Sequence, residues 1–217
     1  MIDPDGRRGG QQLLDEFVEQ LAKDERLRSL SFQNVKVVPF LGTPGAIQSD
    51  SWNTTTYSNT LATKVGNLLH CASYNLSAPM YVEGTKEKEL IESIDEIAKV
   101  LHMAETADIA LIGIGSMQDD SSIIKAEIRT KEEYKELVRK GAVGEIVGRI
   151  YDKNGQTVDE DLKRKMVGIS LDKIAKIPVR VGMSYGKDKI EAIKGAIAGG
   201  LVNVLVTDVP TAELLLK

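Results

Sequence analysis

The chain is short of the residues that build disulfide and metal chemistry: it has one cysteine, Cys71, and two histidines, His70 and His102. A lone cysteine excludes an internal disulfide framework and a multi-cysteine zinc site, and the histidines lack ligand spacing to each other, so no metal site is expected. Scarce cysteine fits a cytoplasmic location. No apolar run approaches the roughly 18–20 residues of a membrane helix, and Met1-Ile2-Asp3-Pro4 carries no apolar signal-peptide core. Basic runs are missing as well. With a net charge of −4 the chain repels a phosphate backbone on average. It shows neither a helix-turn-helix pattern nor an aromatic-basic RNA signature, so direct nucleic-acid binding by this chain is not expected. There is no Gly-x-Ser-x-Gly elbow, no Walker motif and no complete Gly-x-Gly-x-x-Gly fingerprint. Cys71 directly follows His70, and adjacent helical residues point apart. No catalytic residue and no cofactor are therefore expected.

What is present is an ordinary folded composition, 217 residues with 42% hydrophobic and 28% charged, enough to bury a core in one large domain or two small ones. One domain spanning 1–217 is the economical reading. Helical stripes alternate with strand-like runs. Residues 11–27 carry Leu13, Leu14, Phe17, Val18 and Leu21 on one face, and Leu61, Val65, Leu68 and Leu69 mark a second helix. A helix after Thr85, its expected cap, buries Leu90, Ile91, Ile94, Ile97, Ala98 and Leu101. Residues 131–139 form a surface helix, residues 186–198 a helix with Ile190, Ile193 and Ile197 inward, and residues 211–216 a last helix. Strands are expected at 35–40, 109–112, 144–151, 165–170, 177–181 and 201–206, with short extended pieces at 77–82 and 156–158. The alternation predicts an α/β fold with a largely parallel sheet covered by helices on both faces. A small antiparallel excursion is expected near 144–158, turning at Lys153-Asn154-Gly155.

In open α/β sheets, ligands sit beyond the carboxyl ends of the strands. Gly42-Thr43-Pro44-Gly45 is either an anion cradle of free N–H groups or a plain tight turn. Gly113-Ile114-Gly115-Ser116, leading to Gln118, suits sugar hydroxyls or is a solvated loop. Gly186 to Lys189 opens a helix, whose N-terminus favours phosphate; Lys189 either adds a full charge or points to water. Asp208 either caps the final helix or touches ligand. Glu145 lies on a predicted strand among apolar neighbours and needs a partner, either a sugar hydroxyl or Arg149 or Arg180. Tyr57 opens a helix after the Gly-Thr-Pro-Gly loop and either closes over a ligand or belongs to a cap.

As an ordered set, these residues resemble the C-terminal effector-binding domain of SorC/DeoR-type bacterial transcription regulators. Gly141-Ala142-Val143-Gly144-Glu145-Ile146 through Tyr151-Asp152-Lys153-Asn154-Gly155 is similar to the family's GAVGDI…RFFD…G segment. Met166 to Leu171 resembles its VIGI-L strand, Gly186 to Ile193 the tail of AGG-x-x-K-x-x-AI, and Leu201 to Leu216 the INVLITDE-x-x-A-x-x-LL stretch. The resemblance runs from about Val35 to the end. It implies a fold like NagB, ribose-5-phosphate isomerase and CoA transferases, a sugar or sugar-phosphate effector, and homodimers or homotetramers. It also implies DNA binding only through an N-terminal helix-turn-helix domain that this chain does not contain.

The resemblance places Lys189 on the family's lysine, Glu145 on an acidic position near the sugar, and Gly42-Thr43 on the glycine loop. Tyr57 falls near a polar contact position, and Gln11 and Gln12 where a Gly-Thr-Thr-like cradle would be. Leu41, Ser184-Tyr185-Gly186 and Val209 depart from the pattern. The implied effector site is Gln11, Gln12, Gly42, Thr43, Gly45, Tyr57, Gly115, Ser116, Gln118, Glu145, Gly186 and Lys189. The chain is thus read as a ligand sensor. The alternatives are an aldose–ketose phosphate isomerase on the same fold, with Glu145 or Asp208 as base, and an oligomerisation module with a vestigial pocket.

Overall fold

The computed structural model describes residues 10–28, 30, 32–44, 58–118 and 121–217. The chain divides into two compact units, one of Leu14–Thr106 with Lys165–Ile169, the other of residues 10–13 with Ala107–Arg164 and Ser170–Lys217.

The first unit contains most of α1 (Gly10–Leu21), then α2 (Glu25–Arg28), β1 (Lys36–Val37), α3 (Ser58–Leu69), β2 (Ala72–Ser73), α4 (Thr85–Glu92) and α5 (Asp95–Glu105). The expected strand at 35–40 is reduced to β1, which pairs in parallel with β2 across α3. Asn59 of α3 reads the backbone of Leu76 with both ends of its amide, accepting from the N–H at 2.9 Å and donating to the carbonyl at 3.1 Å. Leu76, Ala78, Ile97, Val100 and Val167 form the core here. Residues 165–170, expected as a strand, make only isolated bridges, Met166 with Tyr81 and Gly168 with Leu41.

The single helix expected after Thr85 is broken. The Ser93 hydroxyl donates to the Leu90 carbonyl at 2.7 Å, and Ile94 is extended, with Asp95 and Glu96 opening α5. Acidic residues at the new N-terminus complement its dipole. The break rotates the apolar stripe, so Leu90 and Ile94 are exposed while Ile97, Val100 and Ala104 are buried. The cap of α4 is Gly84, one residue before Thr85, and its N–H donates to the Glu87 carboxylate.

The second unit contains β3 (Ile109–Gly113), β4 (Gly115–Ser116), α6 (Ser122–Lys125), α7 (Lys131–Arg139), β5 (Ala142–Ile146) and β6 (Arg149–Asp152). It continues with α8 (Glu160–Lys165), α9 (Leu171–Ile174), β7 (Val179–Met183), a 3-10 turn (Lys187–Lys189), α10 (Ile190–Ala198), β8 (Val204–Val206) and α11 (Val209–Leu215). A parallel sheet runs in the order β3-β7-β8, and an antiparallel sheet in the order β4-β5-β6.

The antiparallel part is therefore as large as the parallel sheet of this unit, not a small excursion. Residues 144–151 form no single strand: β5 turns into β6 at Val147-Gly148, both with positive φ, 51° and 65°. Two left-handed residues match the twist of a two-residue hairpin. Valine rarely takes this conformation, which hides the turn from the sequence. A second turn follows at Gly155, whose N–H donates to the Asp152 carbonyl at 2.9 Å.

Coverage of the parallel sheet is also less than expected. Ile109 pairs with Val179, Leu111 with Val181 and Val181 with Val204, so these side chains share one face. On it Ile109, Leu111, Val179, Val204 and Val206 are exposed. Helix α10 instead packs on the antiparallel sheet: a Cβ on Gly144 would meet Ala192 Cβ, and one on Gly195 would meet the Asp152 carbonyl oxygen. That contact buries Ala192, Ile193 and Ala196 and leaves Ile197 half exposed.

Helix α7 spans the expected residues. Thr130 caps it, accepting from the Glu133 N–H at 3.2 Å, while the Glu133 carboxylate accepts from the Thr130 N–H at 2.8 Å. The Thr130 N–H, and then the Thr130 hydroxyl, which donates to the same oxygen at 3.0 Å, hold the Glu133 carboxyl below its ordinary value. Thr130→Ala is expected to cost about 1 kcal/mol in urea denaturation. Because a depressed folded-state value stabilises above the unfolded pKa of about 4.3, the share contributed by the Glu133 carboxylate is present at neutral pH and fades as pH falls through the carboxylate range.

Candidate functional site

Two polar clusters lie against the short strand β4, both within the second unit. Successive strand residues face opposite sides of a sheet, so Gly115 and Ser116 open onto different faces.

On the Ser116 face, the end of β7 leads through Ser184-Tyr185-Gly186 into the 3-10 turn before α10. Lys189 is buried at 6% exposure and Ser116 at 5%. The Lys189 ammonium donates to Ser116 Oγ at 2.8 Å and pairs with Asp188 Oδ2 at 3.1 Å, while Ser116 Oγ donates to the same Asp188 oxygen at 3.2 Å. A buried lysine needs such partners. Gly186 donates its N–H to the buried Thr211 Oγ1 at 2.8 Å, tying this turn to the start of α11. Asp208 caps that helix, accepting from the Thr211 N–H at 3.0 Å. Tyr151 lies on this side, its hydroxyl donating to the Ala192 carbonyl at 2.9 Å. Burial, reinforced by the Glu145 charge, pushes its phenol far above the ordinary range.

On the Gly115 face, Glu145 of β5 pairs across from Gly115. A Cβ on Gly115 would lie 2.7 Å from Glu145 Cγ, so only glycine leaves room for this side chain to cross β4. The Glu145 carboxylate is buried and accepts from Ser121 Oγ at 2.7 Å and from Tyr134 Oη at 3.2 Å, both on Oε2. Ser121 and Tyr134 are thus two partners of Glu145 to which the sequence did not point. Ser121 Oγ also accepts from the Ile123 N–H at 3.1 Å. Beyond α6, Arg129 forks onto Asp159 at 3.0 and 3.2 Å and reaches Asp161 at 2.9 Å. Burial works against the Arg129 charge, but Asp159 and then Asp161 outweigh it and hold the guanidinium above its ordinary value.

The structure brings Gly115, Ser116, Glu145, Gly186 and Lys189 to these clusters. Gln118 follows β4 on the surface, its N–H given to the Ser116 carbonyl at 2.9 Å. Gly42 and Thr43 belong to the first unit. Their N–H groups, which an anion cradle would leave free, go to the Val167 carbonyl at 3.1 Å and the Ala78 carbonyl at 2.9 Å, as the plain-turn alternative has it. A Cβ on Gly42 would sit 2.5 Å from the Pro79 oxygen, so close backbone packing explains this glycine. Gln11 and Gln12 lie in the first turn of α1, and their side chains lie outside the described residues, as do Gly45 and Tyr57.

Asp188, Ser121, Tyr134 and Thr211 were not singled out from the sequence. Tyr134 carried a signal, a lone hydroxyl-bearing aromatic on the apolar stripe of a highly charged helix; the others are common surface types revealed only by tertiary contact. Among the described residues there is no group of His, Cys, Asp and Glu suited to a metal, and no helix is long and apolar enough to cross a membrane.

The family model described as "Putative sugar-binding domain" matches residues 18–217. The chain belongs to this family. Its relatives are SorC- and DeoR-type transcription regulators. The transcriptional regulator LsrR of Escherichia coli O9:H4 (strain HS) is 35% identical over 159 residues, 71% of this chain and 50% of LsrR. The matched region spans about half the length of the curated relatives. The full-length sorbitol operon regulator SorC from Klebsiella pneumoniae has 28% identity and a TM-score of 0.79, over 94% of this chain and 62% of SorC. A DeoR family regulator from Listeria monocytogenes has 23% identity and a TM-score of 0.77, over 95% of this chain and 85% of its own, a likeness of fold. The earlier resemblance to SorC/DeoR-type regulators is borne out.

Lys189→Met removes one partner of a largely buried pair and leaves Ser116 and Asp188 without their cation. It is expected to cost about 1–3 kcal/mol. That is less than at a wholly buried pair, since Asp188 is a third exposed. Thermal denaturation checks this; an unchanged Tm contradicts a stabilising Lys189 contact.

Proposed function

We propose that this chain is the effector-sensing part of a sugar-responsive transcription regulator. The observation that carries the reading is the buried Lys189 ammonium held by Ser116 and Asp188, one residue along β4 from the strand pair that carries the buried Glu145 carboxylate. Lys189 offers positive charge to a phosphate or hydroxyl oxygen, and Glu145 accepts from a sugar hydroxyl. Gly115, Ser116, Gln118 and Gly186 complete the site in the second unit. Gln11, Gln12, Gly45 and Tyr57 are retained as proposed contacts on the family resemblance alone, whereas Gly42 and Thr43 spend their N–H groups on the Val167 and Ala78 carbonyls. The effector is a sugar or sugar phosphate, no cofactor takes part, and the chain senses rather than catalyses.

Several finer assignments go with this reading. Residues 1–217 make one effector domain, with a fold like NagB, ribose-5-phosphate isomerase and CoA transferases. It works in the cytoplasm as a homodimer or homotetramer. The uncovered aliphatic face of the β3-β7-β8 sheet supports association, since large exposed apolar patches mark interaction sites. DNA is contacted by another part of the full-length protein. The effector shifts that contact by binding the two states of the regulator with different affinities.

Thermal-shift titration with ribose, glucose, sorbitol and their monophosphates tests the reading. At a free ligand concentration of 100 Kd, stabilisation is about 2.7 kcal/mol, a rise of roughly 5–10 °C for a chain of this size. If Lys189 meets phosphate, Lys189→Met loses the response to monophosphates and keeps that to neutral sugars. A flat response to the whole panel contradicts a sugar effector. Isomerisation of ribose 5-phosphate that is lost in Glu145→Gln overturns the assignment as a sensor.

A further inference from the structure

The Glu145 carboxylate is oriented from behind. Two hydroxyl donors converge on one of its oxygens, Ser121 Oγ at 2.7 Å and Tyr134 Oη at 3.2 Å. We infer that Tyr134 and Ser121 are positioning residues for effector recognition, holding Glu145 in the geometry in which it reads a sugar hydroxyl. The inference rests on the proposed sugar-binding role of Glu145.

Packing alone does not call for a phenol at position 134. Helix α7, Lys-Glu-Glu-Tyr-Lys-Glu-Leu-Val-Arg, buries Tyr134 at 2% exposure and Leu137 at 7%. A phenylalanine fills the same volume. A buried hydroxyl costs free energy unless it is bonded, and this one is directed at the carboxylate. Ser121 is equally constrained. Its oxygen donates to Glu145 while accepting from the Ile123 N–H at 3.1 Å, so turning away would forfeit its bond to the first turn of α6 as well.

The segment carrying both donors is fixed at further points. Arg129 joins it to Asp159 and Asp161, and the Thr130–Glu133 capping pair begins α7. On the other side, the missing Cβ of Gly115 lets the Glu145 side chain lie across β4. The carboxylate is thus gripped through Oε2 and confined along its stem. A group held this way loses little side-chain freedom when a ligand arrives, which is how supporting contacts raise affinity without touching the ligand.

A purely structural role for these hydroxyls predicts altered stability with unaltered ligand affinity. A double-mutant cycle separates the two. Titration calorimetry is run on the full chain with the member of the ribose, glucose, sorbitol and monophosphate panel that wild type binds most tightly. Tyr134→Phe keeps the ring, so the fold is retained, and Ser121→Ala is the independent second variant. Each is expected to weaken Kd about tenfold, the scale of one hydrogen bond to a charged group. Ser121→Thr, which keeps the hydroxyl, is expected to restore affinity to within about threefold of wild type. In a Glu145→Gln background, Tyr134→Phe is expected to change Kd no further, because the effects of coupled residues do not add.

Wild-type Kd in both Tyr134→Phe and Ser121→Ala, with only Tm lowered, overturns the inference and leaves the sensor reading standing. So do losses that add fully to that of Glu145→Gln. A wild-type chain that binds no member of the panel overturns the sensor reading, and this inference with it.

Discussion

A charge taken out of water must be met by partners in the protein, and the second unit is arranged around that constraint. It buries one ammonium and one carboxylate on the two sides of a two-residue strand. Lys189 is satisfied by Ser116 and Asp188, and Glu145 by Ser121 and Tyr134. Because Gly115 and Ser116 are consecutive, the pleat sends one to each cluster, and a shift of one residue in the β4–β5 register would exchange their faces. The register is set by bulk: Gly115 must lie beneath Glu145, and Gly144 beneath the Tyr151 hydroxyl and Ala192.

The helices serve these contacts. Helix α10 packs closely on β5 through small residues and so brings Lys189, just before its first turn, to Ser116. Helix α7 carries Tyr134 to the opposite face, and the Arg129 fork with Asp159 and Asp161 fixes the chain between the two donors of Glu145. With α10 committed to the antiparallel sheet, one face of the parallel sheet keeps its aliphatic side chains in water.

Much of this was legible in the sequence. The α/β character, the spans of α7 and β3 and the cap at Asp208 follow from periodicity and turn residues, and the family motifs single out Glu145 and Lys189, both of which the structure buries. What stayed hidden depends on rules that tertiary contacts override. Val147-Gly148 turns a hairpin although valine resists positive φ. Ser93 and Ile94 break a helix whose apolar spacing reads straight through. Gly42 resembles a cradle glycine, but its N–H and its missing Cβ serve backbone packing. The partners of Glu145 come from a loop serine and a helix tyrosine, brought together across sequence gaps that no local pattern records.

The central claim is that a sugar-type effector spans the edge of β4, the outer strand of its sheet, and meets Lys189 on one face and Glu145 on the other. A crystal structure of the chain with a bound sugar phosphate tests it most directly. The account predicts a phosphate or hydroxyl oxygen within about 3 Å of the Lys189 ammonium and a sugar hydroxyl on the Glu145 carboxylate, with Ser121 and Tyr134 still in place. A ligand bound elsewhere, with both side chains keeping only the protein partners described above, would contradict it.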